Sequence, residues 1–229
     1  MTYILLAANV AVFLYQTSLP VGELNTLLAT YGVIPARIGS PLTFLFPGRW
    51  PQLIPLVTAM FLHGGWLHIG TNMLYLWIFG DNVEASMGSG PFLLFYLLAG
   101  VLGNMAHVIF NLASAVPTIG ASGAIAGVLG AYLVLFPHAR VLALIPLGFF
   151  FTVAEIPAVI FLAVWFLLQL VSGMFSPAAA QQVAWWAHIG GFLAGMVLLL
   201  WFRTNPSAGA APRHGSSDSQ DGEDLQWPE

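Results

Sequence analysis

Four side chains able to do chemistry stand among small residues in three separate apolar runs of this chain. Ser122 lies in Gly120-Ala121-Ser122-Gly123, His188 lies in Ala187-His188-Ile189-Gly190-Gly191, and His68 and Asn72 follow His63-Gly64-Gly65-Trp66. A serine hydroxyl is a poor nucleophile until a neighbouring base takes its proton, and neutral imidazole is the usual base near neutral pH. Ser122 and His188 can supply that pair. His68 and Asn72 are four residues apart and share a helix face. They can add side-chain donors to an oxyanion hole whose backbone donor is the N–H of Ser122, where a helix begins and N–H groups are unpaired. Cysteine is absent, so a thiol nucleophile and a thiolate metal site are excluded.

These residues must be held by elements that suit an unusual composition. Of 229 residues 59% are hydrophobic and only 6% charged, with a mean hydropathy of +0.86, against about one-quarter charged in soluble domains. A water-soluble globule and a disulfide scaffold are excluded. Nucleic-acid binding is excluded too, because Lys+Arg is 5 and the net charge is -4. The chain reads as an integral membrane protein whose partner is the lipid bilayer. Charges mark where spans stop, and residues 1–22, 50–80, 85–139 and 156–202 contain none. A span needs about 20 apolar residues, so the first two gaps hold one each. The other two hold a pair each, turning at residues 111–118 and 172–182, where breakers cluster.

The expected fold is all-α, with six spans near 2–19, 64–80, 91–111, 119–136, 156–174 and 183–202. Residues 1–203 form this membrane domain, and 204–229 form a disordered hydrophilic tail. The connection from Pro20 to His63 reads as a partly membrane-embedded loop. The apolar stretch between Arg140 and Glu155 is too short to span and is expected to lie at the interface or re-enter; promoting it gives a seven-span alternative. An even count puts both termini on one side. Arg140, Arg203 and Arg213 against Arg37 and Arg49 lean toward a cytoplasmic one. Span one lacks the basic flank and cleavage site of a signal peptide, and the abrupt start at Met1 suggests that a short basic leader is missing.

Spans two, four and six run parallel, and each carries its polar residue within the first turn or two. Ser122, His188, His68 and Asn72 therefore fall at one depth. The G-x-x-x-G spacings of Gly123, Gly127 and Gly130 on span four, and of Gly191 and Gly195 on span six, allow the close approach a Ser-His pair needs. Asp81, Glu84 and Glu155 lie on the far side, which leaves a dyad without an acidic third member. Each piece alone has a plainer use: small residues pack helices, and intramembrane His and Asn bond neighbouring carbonyls. Asn9, Asn104, His107 and Gln169 are read in that structural way, and His138 and His214 as solvated. Histidines also bind metals, but His63 and His68 are five apart, His188 is distant, and no carboxylate shares their depth. The H-E-x-x-H signature is missing, and neither metal nor cofactor is expected.

At these residues the chain resembles the rhomboid family of intramembrane serine proteases. The resemblance runs through ANVAVF, TAMFLHGGWLHIGTNMLYLWIFGDNVE, GASGAIAGVLGAY, WFLLQL and AHIGGFLAGM. It implies a six-helix bundle in a bacterial inner membrane, with a water-filled cavity opening to the extracytoplasmic face. Ser122 is then the nucleophile, His188 the base, and His68, Asn72 and the Ser122 N–H the oxyanion hole. Transmembrane proteins are the substrates, cut next to a small residue. The first loop forms a membrane-embedded helical hairpin, and span five with the 172–182 loop moves to admit substrate. Two positions depart from the pattern. Arg49 precedes Trp50 where the family often has Trp-Arg, and Ala126 stands where an aromatic often packs on the base, which passes base positioning to Trp185, Trp186 or other neighbours. The rivals are an inactive relative that binds membrane clients, against which both Ser122 and His188 are present, and a transporter, which would show paired broken helices at mid-membrane. Oligomeric state and physiological substrate leave no mark in the sequence.

Overall fold

The computed structural model describes residues 1–39, 45–147, 150–175 and 183–202. Most of the apolar run PLTFLFP, residues 176–182 of the connection before the last span, and the hydrophilic tail lie outside the described residues. The chain opens with α1 (Thr2–Ser18), which stops where Leu19, ahead of Pro20, turns to extended backbone. Short helices follow, α2 (Val21–Tyr31), α3 (Pro35–Ile38) and α4 (Pro55–Thr58), with 3-10 turns at Pro47–Leu53 and Ala59–Phe61. Gly64 and Gly65 break the chain before α5 (Trp66–Met87). Gly88, at a positive φ of 85°, then turns it directly into α6 (Ser89–Phe110). The last helices are α7 (Ser122–Leu135), α8 (Ala158–Phe175) and α9 (Trp185–Phe202).

Among the described residues, α6, α8 and α9 are long and apolar enough to cross a bilayer. The segment Gly48–Phe61 and α5, bent by 84° at their junction, make a fourth crossing if taken together, and α1 and α7 are shorter apolar helices. The protein is a helical membrane bundle.

α7 sits at the centre of the bundle, with every residue from Gly123 to Tyr132 buried. Close approach is written in its glycines. A methyl carbon added at Gly191 of α9 would meet the carbonyl oxygen of Gly123, one at Gly130 would meet that of Phe192, and one at Gly103 of α6 would stand 2.7 Å from that of Ala187. Backbones this close gain packing and carbonyl contacts in a medium where burial of apolar surface gives no drive. With 14 residues, α7 is about 21 Å long, against a hydrocarbon core of about 30 Å. It is therefore too short to cross that core by itself.

The stretch between α7 and α8 corrects the all-α expectation. It is a hairpin: β1 (Arg140–Leu147) and β2 (Phe150–Pro157) pair antiparallel, Arg140 opposite Pro157 and Leu142 opposite Glu155. Val, Ile and Phe suit extended backbone, and the pairing satisfies N–H and C=O groups that an open strand would leave bare. Arg140 and Glu155, which bound the apolar run, stand 3.7 Å apart across the hairpin.

The other elements brace the central helix. The Glu84 carboxylate accepts from the Thr2 N–H at 2.7 Å and contacts the Met1 amino group, fastening α1 to α5. Asn104 of α6 donates to the Leu56 carbonyl at 2.9 Å, holding α4. Val33 and Thr118 exchange backbone hydrogen bonds of 2.9 and 2.8 Å, so the first loop is tied to the strand of chain that leads into Ser122.

Candidate active site

Ser122 is the first residue of α7. The turn before it requires Gly120, which has a φ of +128° and donates its N–H to the Ala59 carbonyl at 2.9 Å. Gly120, expected from the sequence to pack helices near the site, thus acts in the turn instead, since the helix begins at Ser122, three residues later than the sequence places it. A side chain at Gly120 would be strained, and its Cβ would stand 2.8 Å from His68 Nε2.

Ser122 Oγ lies 2.7 Å from His188 Nε2, joining α7 to α9. His188 Nδ1 lies 2.7 Å from Gln169 Oε1 on α8. The three side chains form one line across three helices. An amide oxygen only accepts, so both contacts are hydrogen bonds in the tautomer with the proton on Nδ1, where the bare Nε2 accepts from the serine hydroxyl. The ring sits among aromatics: Trp165 is tilted at 6.0 Å and Trp185 is edge-on at 6.2 Å. Trp186 instead stacks on Phe110 at 4.0 Å, away from the base.

On the other side of Ser122, the Gly64 N–H donates to His68 Nδ1 at 3.3 Å. That bond leaves the His68 proton on Nε2, the nitrogen that faces Gly120 and the serine turn. Asn72 donates to the His68 carbonyl at 2.7 Å and borders the same space. Gly64, His68, Asn72, Ser122, Trp165 and His188 line a cavity of about 880 Å³. All four residues singled out in the sequence meet there, and Gly123, Gly127, Gly191 and Gly195 bring the helices together beneath it.

His63 is buried, and its ring meets that of His68 edge-on at 5.1 Å. Among the described residues no group of three or more His, Asp or Glu side chains is placed to hold a metal ion.

Two contributions were missed. Gln169, assigned a structural role, bonds the base. Gln16 of α1 was not singled out at all, yet its amide donates to the His63 carbonyl at 3.1 Å and accepts from the His63 N–H at 3.0 Å, fixing the backbone that leads to Gly64 and His68. His107 is the structural hydrogen-bonder the sequence suggested: its Nε2 lies 2.9 Å from Thr118 Oγ1, bracing the chain entering the serine turn. A signal existed for both glutamines: each lies near the carboxyl end of an odd-numbered span, hence at the depth of the amino ends of spans two, four and six.

Comparison with known proteins gives a consistent assignment. Residues 51–205 match the family described as Rhomboid domain. The chain is 36% identical over 168 residues to rhomboid protease GluP of Bacillus subtilis, covering 68% of this chain and 31% of that protein. It is 33% identical over 158 residues to rhomboid protein 1, mitochondrial, of Saccharomyces cerevisiae, covering 65% and 41%. It is 31% identical over 160 residues to the presenilin-associated rhomboid-like protein, mitochondrial, of Mus musculus, covering 66% and 37%. The chain spans less than half the length of each of these relatives. The family match over residues 51–205 takes in Ser122, His188, His68 and Asn72, and the chain belongs to the rhomboid family.

Proposed function

We propose that this protein is an intramembrane serine endopeptidase that cuts transmembrane segments of membrane proteins through a Ser122–His188 dyad. The observation that carries the reading is the 2.7 Å contact between Ser122 Oγ and His188 Nε2 at the amino end of a short central helix beside an open cavity. Ser122 Oγ attacks the scissile carbonyl carbon as its proton passes to His188 Nε2. The resulting oxyanion meets the Ser122 N–H, His68 Nε2–H and the second amide proton of Asn72. The C–N bond then breaks, His188 returns the proton to the leaving amine, and an acyl-enzyme remains. Water in the cavity, deprotonated by His188, hydrolyses the ester and frees Ser122. The steps use only protein side chains and water.

A spanning helix hides its scissile carbonyls in hydrogen bonds, so substrates carry helix-weakening Gly or Pro near the entrance, with a small residue before the cut. We place the cavity toward the extracytoplasmic face, with six spans over residues 1–203, both termini cytoplasmic and residues 204–229 as a solvated tail. The named relatives include a bacterial, a yeast mitochondrial and a mouse mitochondrial protein, which gives no support to a bacterial inner membrane in particular. GluP bears the name protease, which favours activity over client binding alone.

Fluorophosphonate labelling of the purified protein, followed by cleavage of a model transmembrane substrate in liposomes, tests the reading. Labelling and cleavage are expected in the wild type and lost by about a thousandfold or more in Ser122→Ala and His188→Ala. A folded wild type that neither labels nor cleaves sinks the protease reading and favours an inactive client-binding relative.

A further inference from the structure

We infer that Gln169 is a positioning residue that selects the tautomer of His188 in which Nε2 can take the serine proton. The inference rests on the protease reading and adds a third side chain to it.

A neutral imidazole carries one proton on one of two nitrogens, and only one choice serves a serine base. His188 is buried and makes two side-chain contacts of equal length, Nδ1 to Gln169 Oε1 and Nε2 to Ser122 Oγ, both at 2.7 Å. With the proton on Nδ1 both are hydrogen bonds, and Ser122 donates into the bare Nε2. With the proton on Nε2, two lone pairs face each other at Gln169, and the histidine points a proton at the hydroxyl it should deprotonate. The amide oxygen therefore disfavours the unproductive form. When the serine proton arrives, Nδ1–H becomes part of a cation, and its bond to Gln169 strengthens as a charge-assisted one.

An amide suits this place better than an acid. The ring lies within a membrane bundle between Trp165 and Trp185, where a carboxylate is costly to hold. Gln169 orients and polarises without a resident charge. Its helix delivers it through a stripe of four-residue spacing: Trp165, Gln169 and Gly173 share one face of α8. Trp165 meets the His188 ring, Gln169 bonds it, and Gly173 leaves room for Trp185, whose Cβ would stand 3.3 Å from a Cβ at that glycine.

The test compares the wild type with Gln169→Met, which keeps length and volume but removes the acceptor, and Gln169→Glu, which restores an oxygen. Gln169→Met is expected to keep its unfolding temperature and to bind substrate with KM within about twofold, while kcat falls about 10- to 100-fold. That is less than the loss seen when a charged orienting partner is removed from a triad. Gln169→Glu, which restores an acceptor oxygen at the same reach, is expected to recover part of kcat, held below wild type by the cost of a carboxylate in this setting. Independently of activity, 15N NMR of histidine-labelled protein, with the His188 signals identified by their loss in His188→Ala, is expected to show a protonated Nδ1 and bare Nε2. In Gln169→Met the signals move toward the other tautomer. A wild-type His188 protonated on Nε2, a Gln169→Met variant with unchanged kcat, or a loss of kcat that follows unfolding and is not rescued by Glu overturns the inference. If the wild type proves inactive, the protease reading fails by that result, while the tautomer signals still decide what Gln169 does.

Discussion

Gly195 of α9 lies over Gly127 of α7 so closely that a methyl carbon at Gly195 would fall on the Gly127 carbonyl oxygen. One turn toward the cavity, Gly191 stands over Gly123 in the same way. These pairs fix the separation of the two helices that carry Ser122 and His188. Backbone cannot yield as a flexible side chain can, so Gly195→Ala is expected to cost about 2 kcal/mol or more in stability and to lower cleavage sharply. Gly70 of α5 has nothing within 4 Å of its Cβ position, and Gly70→Ala is expected to leave stability unchanged or slightly raised. Unfolding midpoints of the two variants give the comparison, and equal effects would contradict the packing account.

His68 and Gly120 are expected to behave as a coupled pair. His68→Ala removes the proposed oxyanion donor and is expected to lower kcat by about 100-fold with a small change in unfolding temperature, because the ring is only half-buried. Gly120→Ala strains the turn at φ +128° and drives a Cβ against His68 Nε2, costing about 1–3 kcal/mol. In the His68→Ala background that cost is expected to shrink to the backbone strain alone. Full additivity in a double-mutant cycle would show that the two do not meet.

Gln16 bonds both backbone groups of His63, at 3.1 and 3.0 Å. Gln16→Leu leaves a buried N–H and C=O without that partner, for an expected loss of about 2 kcal/mol. Because that loop sets Gly64, which in turn holds His68, kcat is expected to fall as well. Thermal unfolding and steady-state cleavage of the variant check both parts.

The absence of native cysteine permits a clean cross-link. Gly173→Cys with Trp185→Cys places two Cβ atoms near disulfide range, since the Gly173 Cβ position is 3.3 Å from Trp185 Cβ. Oxidation is expected to stop cleavage of a transmembrane substrate if α8 must part from α9, while a small fluorophosphonate still labels Ser122. Reduction is expected to restore cleavage. Unimpaired cleavage by the oxidised protein would rule out entry between these helices.

The chain declared its bundle through charge spacing and its site through glycine-flanked polar residues. Helix α6 at Ser89–Phe110 and α9 at Trp185–Phe202 fall where the uncharged gaps place them, because a charge within hydrocarbon is costly enough to punctuate the sequence by itself. The hairpin over Arg140–Pro157 escaped because a short apolar run has no period that separates strand from interfacial helix. Gln16 and Gln169 escaped for another reason. The polar residues at the starts of the even spans stand out among glycines, whereas the two glutamines sit at the ends of antiparallel neighbours, at the same level but without that flanking mark. Glutamine also has a plain structural use in membranes, and only the three-dimensional meeting with His188 Nδ1 distinguishes its role.

The foot of α8 is held by the hairpin, and its far half leans on α9 along one face, through Gln169 and Gly173. The Ala158 N–H donates to the Ala139 carbonyl at 2.8 Å, directly beside the hairpin, and Ala158 and Leu162 are fully buried. Farther along, Val164, Leu167, Leu168 and Val171 face outward. At 18 residues the helix is a lever of about 27 Å, and a tilt of about 10° about its foot carries the far end by about 5 Å, roughly half the width of a helix. The same swing would draw Gln169 off His188. On the protease reading, the door and the latch on the base would be one rigid rod, idling the site while the door stands wide and arming it as the rod swings back.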